Sequence, residues 1–215
     1  MEKIAIDVAI SVKNIVKRFG DETVLRGISH DFEKGKIHGI AGNNGSGKTV
    51  FFKCICGFLI PEEGEVFVEG KQIGKDVDFP ESLGLIIEAP GFLANLSGFN
   101  NLKLLAALQK NVPDEEIRKV ISLVGLDPQN RKHVGKYSLG MKQRLGIAQA
   151  IMGDPGCLIL DEPFNGLDKH GMAEMRELFK ELREAGKTIL IASHNQTDID
   201  ELCDTVHEME AGVLN

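Results

Sequence analysis

The sequence predicts an α/β fold built around a mostly parallel β-sheet. Three observations support this fold: short apolar segments alternate with amphipathic helical ones, a glycine-rich turn joins one strand to the next helix, and polar residues follow several strands. Strands that are apolar along their whole length are typical of a sheet covered by helices on both faces. Ligands of such sheets bind beyond the carboxyl ends of the strands, so we expect function there.

The first part of the chain begins this alternation. Residues 36–41 form an apolar run that stops at Gly42, and residues 49–58 lack proline and carry one glycine near their end, as a helix does. A strand, a glycine-rich turn and a helix in this order begin a parallel α/β unit. Residues 65–68, bounded by proline and glycine, and residues 83–87 are predicted as further strands.

The middle of the chain is predicted to be helical. The pattern favours helices over residues 100–109 and 114–124, and Asp114 is the predicted N-cap of the second. Ser138 begins a further helix that runs to about Met152 with apolar residues on one face. We therefore expect residues 89–153 to form a helical subdomain inserted into the α/β core.

The strand and helix alternation then resumes. Residues 157–160 form an all-apolar strand that ends at Asp161 and Glu162, and residues 188–192 form another that ends at Ser193 and His194. Between them, apolar residues at helical spacing are followed by Gly186. The predicted core thus comprises residues 1–88 and 154–215, within a single domain that spans the whole chain.

Composition narrows the functional class. The chain has 215 residues, 42% of them hydrophobic, with 25 Lys and Arg against 32 Asp and Glu, a formal net charge of −7. This balance supports a folded domain and argues against a nucleic-acid-coating protein. No apolar run approaches the ~18 residues of a membrane-spanning helix, and the N-terminus lacks a secretory signal. The four cysteines lack metal or redox spacing and are predicted to be buried apolar residues: Cys54, Cys56, Cys157 and Cys203.

A glycine-rich segment predicts nucleotide binding. Residues 42–49 match the pattern GxxxxGK[ST], in which backbone N–H groups and the start of the following helix surround phosphates. Lys48 supplies a cation for the β- and γ-phosphates, and the Thr49 hydroxyl can bind Mg²⁺. The predicted nucleotide-binding residues of this segment are Gly42, Asn43, Asn44, Gly45, Ser46, Gly47, Lys48 and Thr49.

The ends of two later strands supply the candidate catalytic groups. With a nucleotide bound, Asp161 is the predicted carboxylate that completes the Mg²⁺ shell, and Glu162 is the candidate base that polarises the attacking water. His194 follows a strand of the same sheet and could donate to the γ-phosphate or orient the water. A histidine that only stabilises the fold is the alternative for that position.

The segment Tyr137–Arg144, YSLGMKQR, resembles the signature of the ATP-binding subunits of ABC transporters. The other landmarks of that family occur in order around it: the phosphate turn, a loop at Glu88, the strand before Asp161, NGLD at residues 165–168, and His194. The resemblance covers the chain from Val12 to Val213. It implies a P-loop NTPase core with an N-terminal antiparallel β region and an inserted helical subdomain, and it implies ATP and Mg²⁺ as cofactors.

The resemblance also implies roles for five further residues. Phe19 is similar to the aromatic residue that stacks on adenine, with a place in the core as the alternative, and Val24 would add an apolar wall to the same base. Ser138 and Gly140 would contact the γ-phosphate held by a second subunit, because a helix start suits an anion. Asp168 resembles the acid that crosses the same interface.

The partners implied by the resemblance are other protein subunits. Two ATP-binding subunits, identical or paralogous, would pack head to tail around two ATP molecules, and their closure would drive separate transmembrane permease subunits. The chain would then be an ATPase that lies peripherally on the cytoplasmic face of the cell membrane. No nucleic-acid partner is expected.

One departure from the family pattern narrows the expected substrate. Glu88 stands where the family usually has Gln, and an ionised carboxylate only accepts hydrogen bonds whereas Gln also donates. Glu88 is the candidate at this position for a catalytic role and for Mg²⁺ coordination. The variant is similar to the branch that exports bacitracin and lantibiotics, which favours antimicrobial-peptide or drug export in immunity or resistance. Leu139 and Met141 also depart from the usual signature.

Three other functions stay open, besides that of an inert scaffold that binds ATP without hydrolysing it. The first is an exporter ATPase for another substrate, such as an ion, a lipid or another drug. The second is an ABC-type ATPase that works on nucleic acid in translation or repair, for which the chain lacks basic extensions. The third is a small-molecule kinase, which would leave residues 137–144 and His194 without a function.

Overall fold

The N-terminal part of the protein forms an antiparallel sheet. In the structure, a computed structural model that describes residues 7–108 and 112–215, strand order in this sheet is β2-β1-β4-β5. Its strands are β1 (Val8–Phe19), β2 (Glu22–Glu33), β4 (Glu63–Val68) and β5 (Lys71–Gln72). The expected N-terminal antiparallel region is thereby confirmed.

A second sheet of six strands forms the centre of the α/β core. Strand order is β10-β9-β3-β8-β7-β6, and every pair is parallel except β9 with β10. The strands are β3 (Ile37–Ala41), β6 (Leu83–Ile86), β7 (Cys157–Asp161), β8 (Thr188–Ser193), β9 (Thr205–Glu210) and β10 (Val213–Leu214). All residues of β3, β7 and β8 are buried, as expected for strands covered on both faces. The mostly parallel α/β fold is confirmed.

The register of the parallel strands brings the predicted polar residues to one edge. Ala41 at the end of β3 pairs with Ser193 at the end of β8, and Asp161 at the end of β7 pairs with Ala192. The carboxyl ends of three neighbouring strands therefore meet where the glycine-rich turn begins.

Six α-helices complete the described part of the chain. They are α1 (Lys48–Ile55), α2 (Gly98–Ala106), α3 (Asp114–Leu123), α4 (Leu139–Ile151), α5 (Lys169–Glu184) and α6 (Gln196–Leu202), with a 3₁₀ turn at Val134–Lys136. Helices α2, α3 and α4 lie between β6 and β7, which are neighbours in the parallel sheet. The helical segment is thus an insertion between two adjacent core strands.

The ends of the inserted helices test the predicted caps. Ser138 is the N-cap of α4, because its Oγ accepts a hydrogen bond from the Met141 N–H at 3.2 Å. The prediction for Asp114 is wrong: Pro113 holds the cap position and Asp114 is the first helical residue, where its charge still suits the helix dipole. The first inserted helix begins earlier than predicted, at Gly98, and Gln109 lies outside the described residues.

Two apolar clusters cover the faces of the parallel sheet. One joins α5 and the inserted helices through residues such as Leu102, Leu145 and Phe179, and the other joins α1 to the antiparallel sheet through Phe51 and Phe32.

Three of the four cysteines are fully buried, whereas Cys203 is only partly buried, so the prediction fails for that residue. Burial raises the pKa of all four thiols to about 12. Among the described residues, no helix is both long and apolar enough to cross a membrane.

Candidate functional site

The glycine-rich turn between β3 and α1 has the backbone of a phosphate-binding loop. Gly47, immediately before α1, has φ +110°, a conformation that residues with a side chain rarely adopt. Gly45 also has a positive φ, of +84°. The turn therefore leads directly into the helix, whose first N–H groups have no partner within the helix and are available to an anionic ligand.

Lys48 and Ser46 lie inside this turn with their polar atoms directed inward. The Lys48 side chain is almost fully buried, and its ammonium donates to the carbonyl oxygens of Gly42 at 2.6 Å and Asn43 at 3.2 Å. The Ser46 hydroxyl is buried and has no hydrogen-bond partner within the described part of the chain. A buried cation and an unsatisfied hydroxyl in one turn fit an anionic ligand such as a triphosphate.

Thr49 and Asp161 form the second part of the site. The Thr49 hydroxyl, on α1, donates to Asp161 Oδ2, at the end of β7, at 2.6 Å. Burial raises the pKa of the Asp161 carboxyl above its usual range, and the hydrogen bond from Thr49 acts in the opposite direction. A hydroxyl and a carboxylate oxygen this close together fit a hard cation such as Mg²⁺ beside a phosphate.

Glu162 and His194 are connected by two hydrogen bonds. Glu162 Oε1 accepts from the His194 backbone N–H at 3.0 Å and lies 2.8 Å from His194 Nδ1. Glu162 has φ +51°, an uncommon conformation for a residue with a side chain, and its loop is held by Gln143, whose Nε2 donates to the Pro163 carbonyl at 3.0 Å. A carboxylate fixed in this way can accept a proton from water.

Glu88 lies on the loop that follows β6, opposite α1. Its Oε1 is 2.6 Å from the ammonium of Lys53, which sits in the last turn of α1. Glu88 also has a positive φ, of +62°. Within the described residues, the position that the sequence assigns to Mg²⁺ coordination is thus engaged in an ion pair.

These groups surround one cleft of about 770 Å³ at the carboxyl edge of the parallel sheet. The predicted site residues that line it are Val24, Asn44, Gly45, Gly47, Lys48, Thr49, Glu88, Asp161 and Glu162. Gly42, Asn43, Ser46 and His194 line an adjoining cavity that shares Asn44 and Gly45 with the cleft. Most of the predicted nucleotide site is thereby brought together.

Four of the predicted residues line neither the cleft nor the adjoining cavity. Phe19, at the end of β1, is 48% exposed, so it is not a core residue. Ser138 caps α4, and Gly140, in the first turn of that helix, packs against the Gly166 carbonyl. Asp168 is the N-cap of α5, because its Oδ1 accepts from the Gly171 N–H at 2.8 Å.

Three residues of the site were not predicted from the sequence. Lys53 has no motif around it, and only its place on α1, opposite the Glu88 loop, identifies it. Gln143 is part of the segment Tyr137–Arg144, yet its hydrogen bond to the loop after Glu162 depends on contacts between residues 20 apart. Asn165 also lines the cleft, and its occurrence in NGLD was the available signal.

Comparison with known families identifies the family of the protein. A protein-family model described as "ABC transporter" matches residues 25–165, more than half of the chain, including the phosphate turn, the Glu88 loop, the signature segment and Asp161-Glu162. The chain belongs to the ABC transporter family. It is accordingly an ABC-type ATP-binding subunit and an ATPase, and the nucleotide expected in the cleft is ATP.

Curated relatives of this ABC protein match it over nearly its full length. The ABC transporter ATP-binding protein YybJ of Bacillus subtilis is 45% identical over 205 residues, which cover 95% of this chain and 94% of YybJ. The bacitracin transport ATP-binding protein BcrA of Enterococcus faecalis is 42% identical, covering 95% of this chain and 67% of BcrA. The lantibiotic transport ATP-binding protein SrtF of Streptococcus pyogenes is 35% identical, covering 92% and 85%.

Solved structures of ABC cassettes share the fold. The structure of cbiO1 from Clostridium perfringens, described as part of the ABC transporter complex cbiONQ, superposes with a TM-score of 0.83 at 27% identity, covering 97% of this chain and 87% of cbiO1. The ADP conformation of MJ1267, an ATP-binding cassette of an ABC transporter, gives a TM-score of 0.82 at 25% identity, covering 97% and 89%. The P-loop NTPase core predicted from the sequence is therefore confirmed.

Proposed function

We propose that this ABC ATPase powers the export of an antimicrobial peptide or a related drug, and thereby gives immunity or resistance. Two relatives with transport of bacitracin and of lantibiotics in their names support this substrate class, at 42% and 35% identity. The Glu88 variant of the loop after β6 supports the same branch of the family. The transported molecule would be bound by other subunits, so this chain would supply energy to the transporter.

We infer that ATP binds in the cleft with its phosphates on the turn of residues 42–49. Lys48 would exchange its two carbonyl partners for phosphate oxygens, and the N–H groups at the start of α1 would face the same charge. Thr49 and Asp161 would hold Mg²⁺, with Glu88 as a further candidate ligand; when bound, the metal neutralises charge that develops on the phosphates. Phe19 and Val24 are the candidates for contact with adenine.

Glu162 is the proposed base and His194 its partner in this mechanism. The hydrogen bonds from His194 hold Glu162 Oε1, and Glu162 lines the cleft beside Asp161. Glu162 would accept a proton from the water that attacks the γ-phosphate. His194 would keep the carboxylate oriented and donate to the same phosphate.

The proposed partners are a second ATP-binding subunit and transmembrane permease subunits. Ser138 and Leu139, at the start of α4, are exposed, so a phosphate bound by a second subunit could reach the N–H groups of that helix. Asp168 would lie at the same head-to-tail interface. The subunit would work at the cytoplasmic face of the membrane, in a homodimer or with a paralogue.

The observation that carries this function is the cleft that joins Lys48, Thr49, Asp161 and Glu162, and an export assay tests it. The chain is expressed in a sensitive bacterium together with a membrane permease that co-purifies with it, and growth is measured in bacitracin and in a lantibiotic. We expect resistance with the wild type and none with Glu162→Gln. If resistance is equal in both strains, or absent for every peptide, the proposed export is refuted.

One alternative within the family is an exporter of an ion, a lipid or another drug, and the same assay separates it when those compounds are included. A second alternative is an ABC ATPase that works on nucleic acid, which the formal net charge of −7 disfavours. A pull-down with nucleic acid at low salt, where such binding is strongest, checks that class. We expect no retention of nucleic acid.

A further inference from the structure

We propose that Lys53 is a positioning residue that holds Glu88 at the ATP-binding cleft and offsets its negative charge when a triphosphate binds. The pair is formed by the Lys53 ammonium, on α1, and the Glu88 carboxylate, on the loop after β6, with 2.6 Å between Nζ and Oε1. The proposal deepens the proposed function, on which it rests for the presence of Mg-ATP in the cleft. It gives Lys53 a role that no sequence motif carries.

The backbone fixes the place from which the Glu88 side chain projects. Glu88 has φ +62°, a conformation uncommon for a residue with a side chain, so its loop is specified by its surroundings. Two residues later, Pro90 packs so closely on α4 that a Cβ on Gly146 would meet its ring at 2.7 Å. Because the backbone of the Glu88 loop is held by this packing, the ion pair with Lys53 selects the orientation of the Glu88 carboxylate.

The second proposed role of Lys53 is to offset the excess negative charge around the cleft. Three carboxylates line the cleft, those of Glu88, Asp161 and Glu162, whereas Lys48 is the one cation among the described residues that line it. Burial is the main reason why the pKa of Asp161 is raised, and the charges of Glu162 and, less strongly, Glu88 act in the same direction. A triphosphate adds several more negative charges to this cluster.

An uncompensated Glu88 should therefore weaken nucleotide binding. Charges about 8–10 Å apart in a partly solvated site change a binding constant several-fold for each pair, and the effect grows with the charge of the ligand. Lys53 provides the compensating charge from outside the cleft. A neutral Gln at position 88 would need no such partner, which makes the two side chains a coupled pair.

A purely structural role for Lys53 is the competing explanation. A cation in the last turn of a helix interacts favourably with the helix dipole, so loss of Lys53 could act on α1 alone. The two explanations differ in one respect: only a charge pair makes the effect of Lys53 depend on the residue at position 88. A double-mutant cycle measures this dependence.

The test is equilibrium binding of a fluorescent ATP analogue to the full chain, with Mg²⁺ and with EDTA. The variants are Lys53→Met, Glu88→Gln and the double variant. We expect Lys53→Met to raise Kd about tenfold in EDTA and about threefold with Mg²⁺, because the metal neutralises part of the phosphate charge. In the Glu88→Gln background, where the charge that Lys53 offsets is absent, adding Lys53→Met in EDTA should change Kd by less than about twofold, whatever Glu88→Gln does to Kd by itself.

A matched control breaks an ion pair elsewhere. Lys103→Met removes the partner of Asp114, at 2.7 Å and away from the cleft, and it should leave Kd unchanged in both buffers. The proposal is overturned if Lys53→Met binds as the wild type does in EDTA, or if adding Lys53→Met to Glu88→Gln raises Kd as much as it does in the wild-type background. A wild-type chain that binds no ATP analogue at all would instead refute the proposed nucleotide site, and the positioning role with it.

Discussion

The parallel core and the helical insertion between β6 and β7 differ in charge as well as in structure. Residues 89–153 carry nine Lys and Arg against four Asp and Glu, a net charge of +5, whereas the rest of the chain carries 16 against 28, a net charge of −12. The acidic core carries the ionisable side chains that line the cleft. The basic insertion contributes the buried apolar residues of α2–α4 to an apolar cluster. Chemistry and local stability should therefore be separable by mutation.

The largest expected effect is on hydrolysis, and it lies in the core. Glu162→Gln removes the proposed base but keeps the size of the side chain, so the rate of phosphate release should fall by about 100-fold or more, as loss of a general base typically does. ATP binding and the free energy of unfolding should stay near the wild-type values. Phosphate release and ATP binding measured on the same preparation provide the check.

A control for this variant changes a carboxylate that does not line the cleft. Glu174→Gln changes an exposed carboxylate of α5 that pairs with Arg144, and hydrolysis should persist. If Glu162→Gln hydrolyses ATP at the wild-type rate, another group acts as the base, and the assignment of chemistry to this strand end is wrong.

The next effect is on stability, and it lies in the insertion. Leu102 of α2 is fully buried in the apolar cluster of the helical segment, so Leu102→Ala should lower the free energy of unfolding by about 3 kcal/mol. Affinity for ATP should change less than twofold, because Leu102 does not line the cleft. Urea unfolding and ATP titration measure the two quantities.

Leu102→Ala also tests whether the core and the insertion have separate roles. If Leu102→Ala weakens ATP binding about tenfold while the protein remains folded, the insertion controls the cleft directly. Leu104 lies two residues further along the same helix and is exposed, so Leu104→Ala should change neither the free energy of unfolding nor the affinity for ATP.

A smaller effect concerns acid stability, and it again lies in the core. His30 on β2, His38 on β3 and His207 on β9 form a cluster in which the rings of His30 and His207 are 4.2 Å apart. Thr205 Oγ1 lies 2.7 Å from His38 Nδ1 and 3.1 Å from His207 Nε2. Burial, aided by the neighbouring histidines, lowers the pKa of His207 from 6.5 to about 4.

The sign of the pH dependence follows from this lowered pKa. The unfolded chain binds the proton at higher pH than the folded one, so the stabilisation is complete above pH 6.5 and is lost as the pH falls towards 4. The full shift corresponds to ~3 kcal/mol, and we expect about 2 kcal/mol because His207 is only half-buried and screened by solvent. Urea unfolding between pH 7 and pH 4.5 should show a smaller loss for His207→Gln. Equal losses would contradict the role of the cluster.

Sequence reasoning predicted the core well because its signals are contiguous. The phosphate turn, β7 with Asp161 and β8 with His194 are each encoded by neighbouring residues, and the parallel pairing of the strands then brings their ends together. The antiparallel sheet was expected only through the family resemblance, since β1 and β2 have irregular registers with several bulges. The burial of Cys203 was misjudged because this residue caps the end of α6, where its exposure depends on how the short helix packs on the sheet.

The insertion and the loops were harder to predict because they depend on contacts between distant residues. Asp114 looks like a cap, yet the chain direction after Pro113 places it inside the helix. The pairing of Lys53 with Glu88 joins residues 35 apart, and no local pattern signals it. Sequence patterns therefore predict which residues carry charge in this site but leave their partners undetermined.

The proposed function depends above all on an ATP phosphate group occupying the turn around Lys48. Equilibrium ATP binding to the wild type and to Lys48→Met tests it most directly, with the exposed variant Lys119→Met as the control. We expect Lys48→Met to weaken binding by about 100-fold, because it removes a buried charge-assisted contact, and Lys119→Met to leave binding unchanged. Equal ATP affinity for the wild type and Lys48→Met would mean that no phosphate binds at this turn.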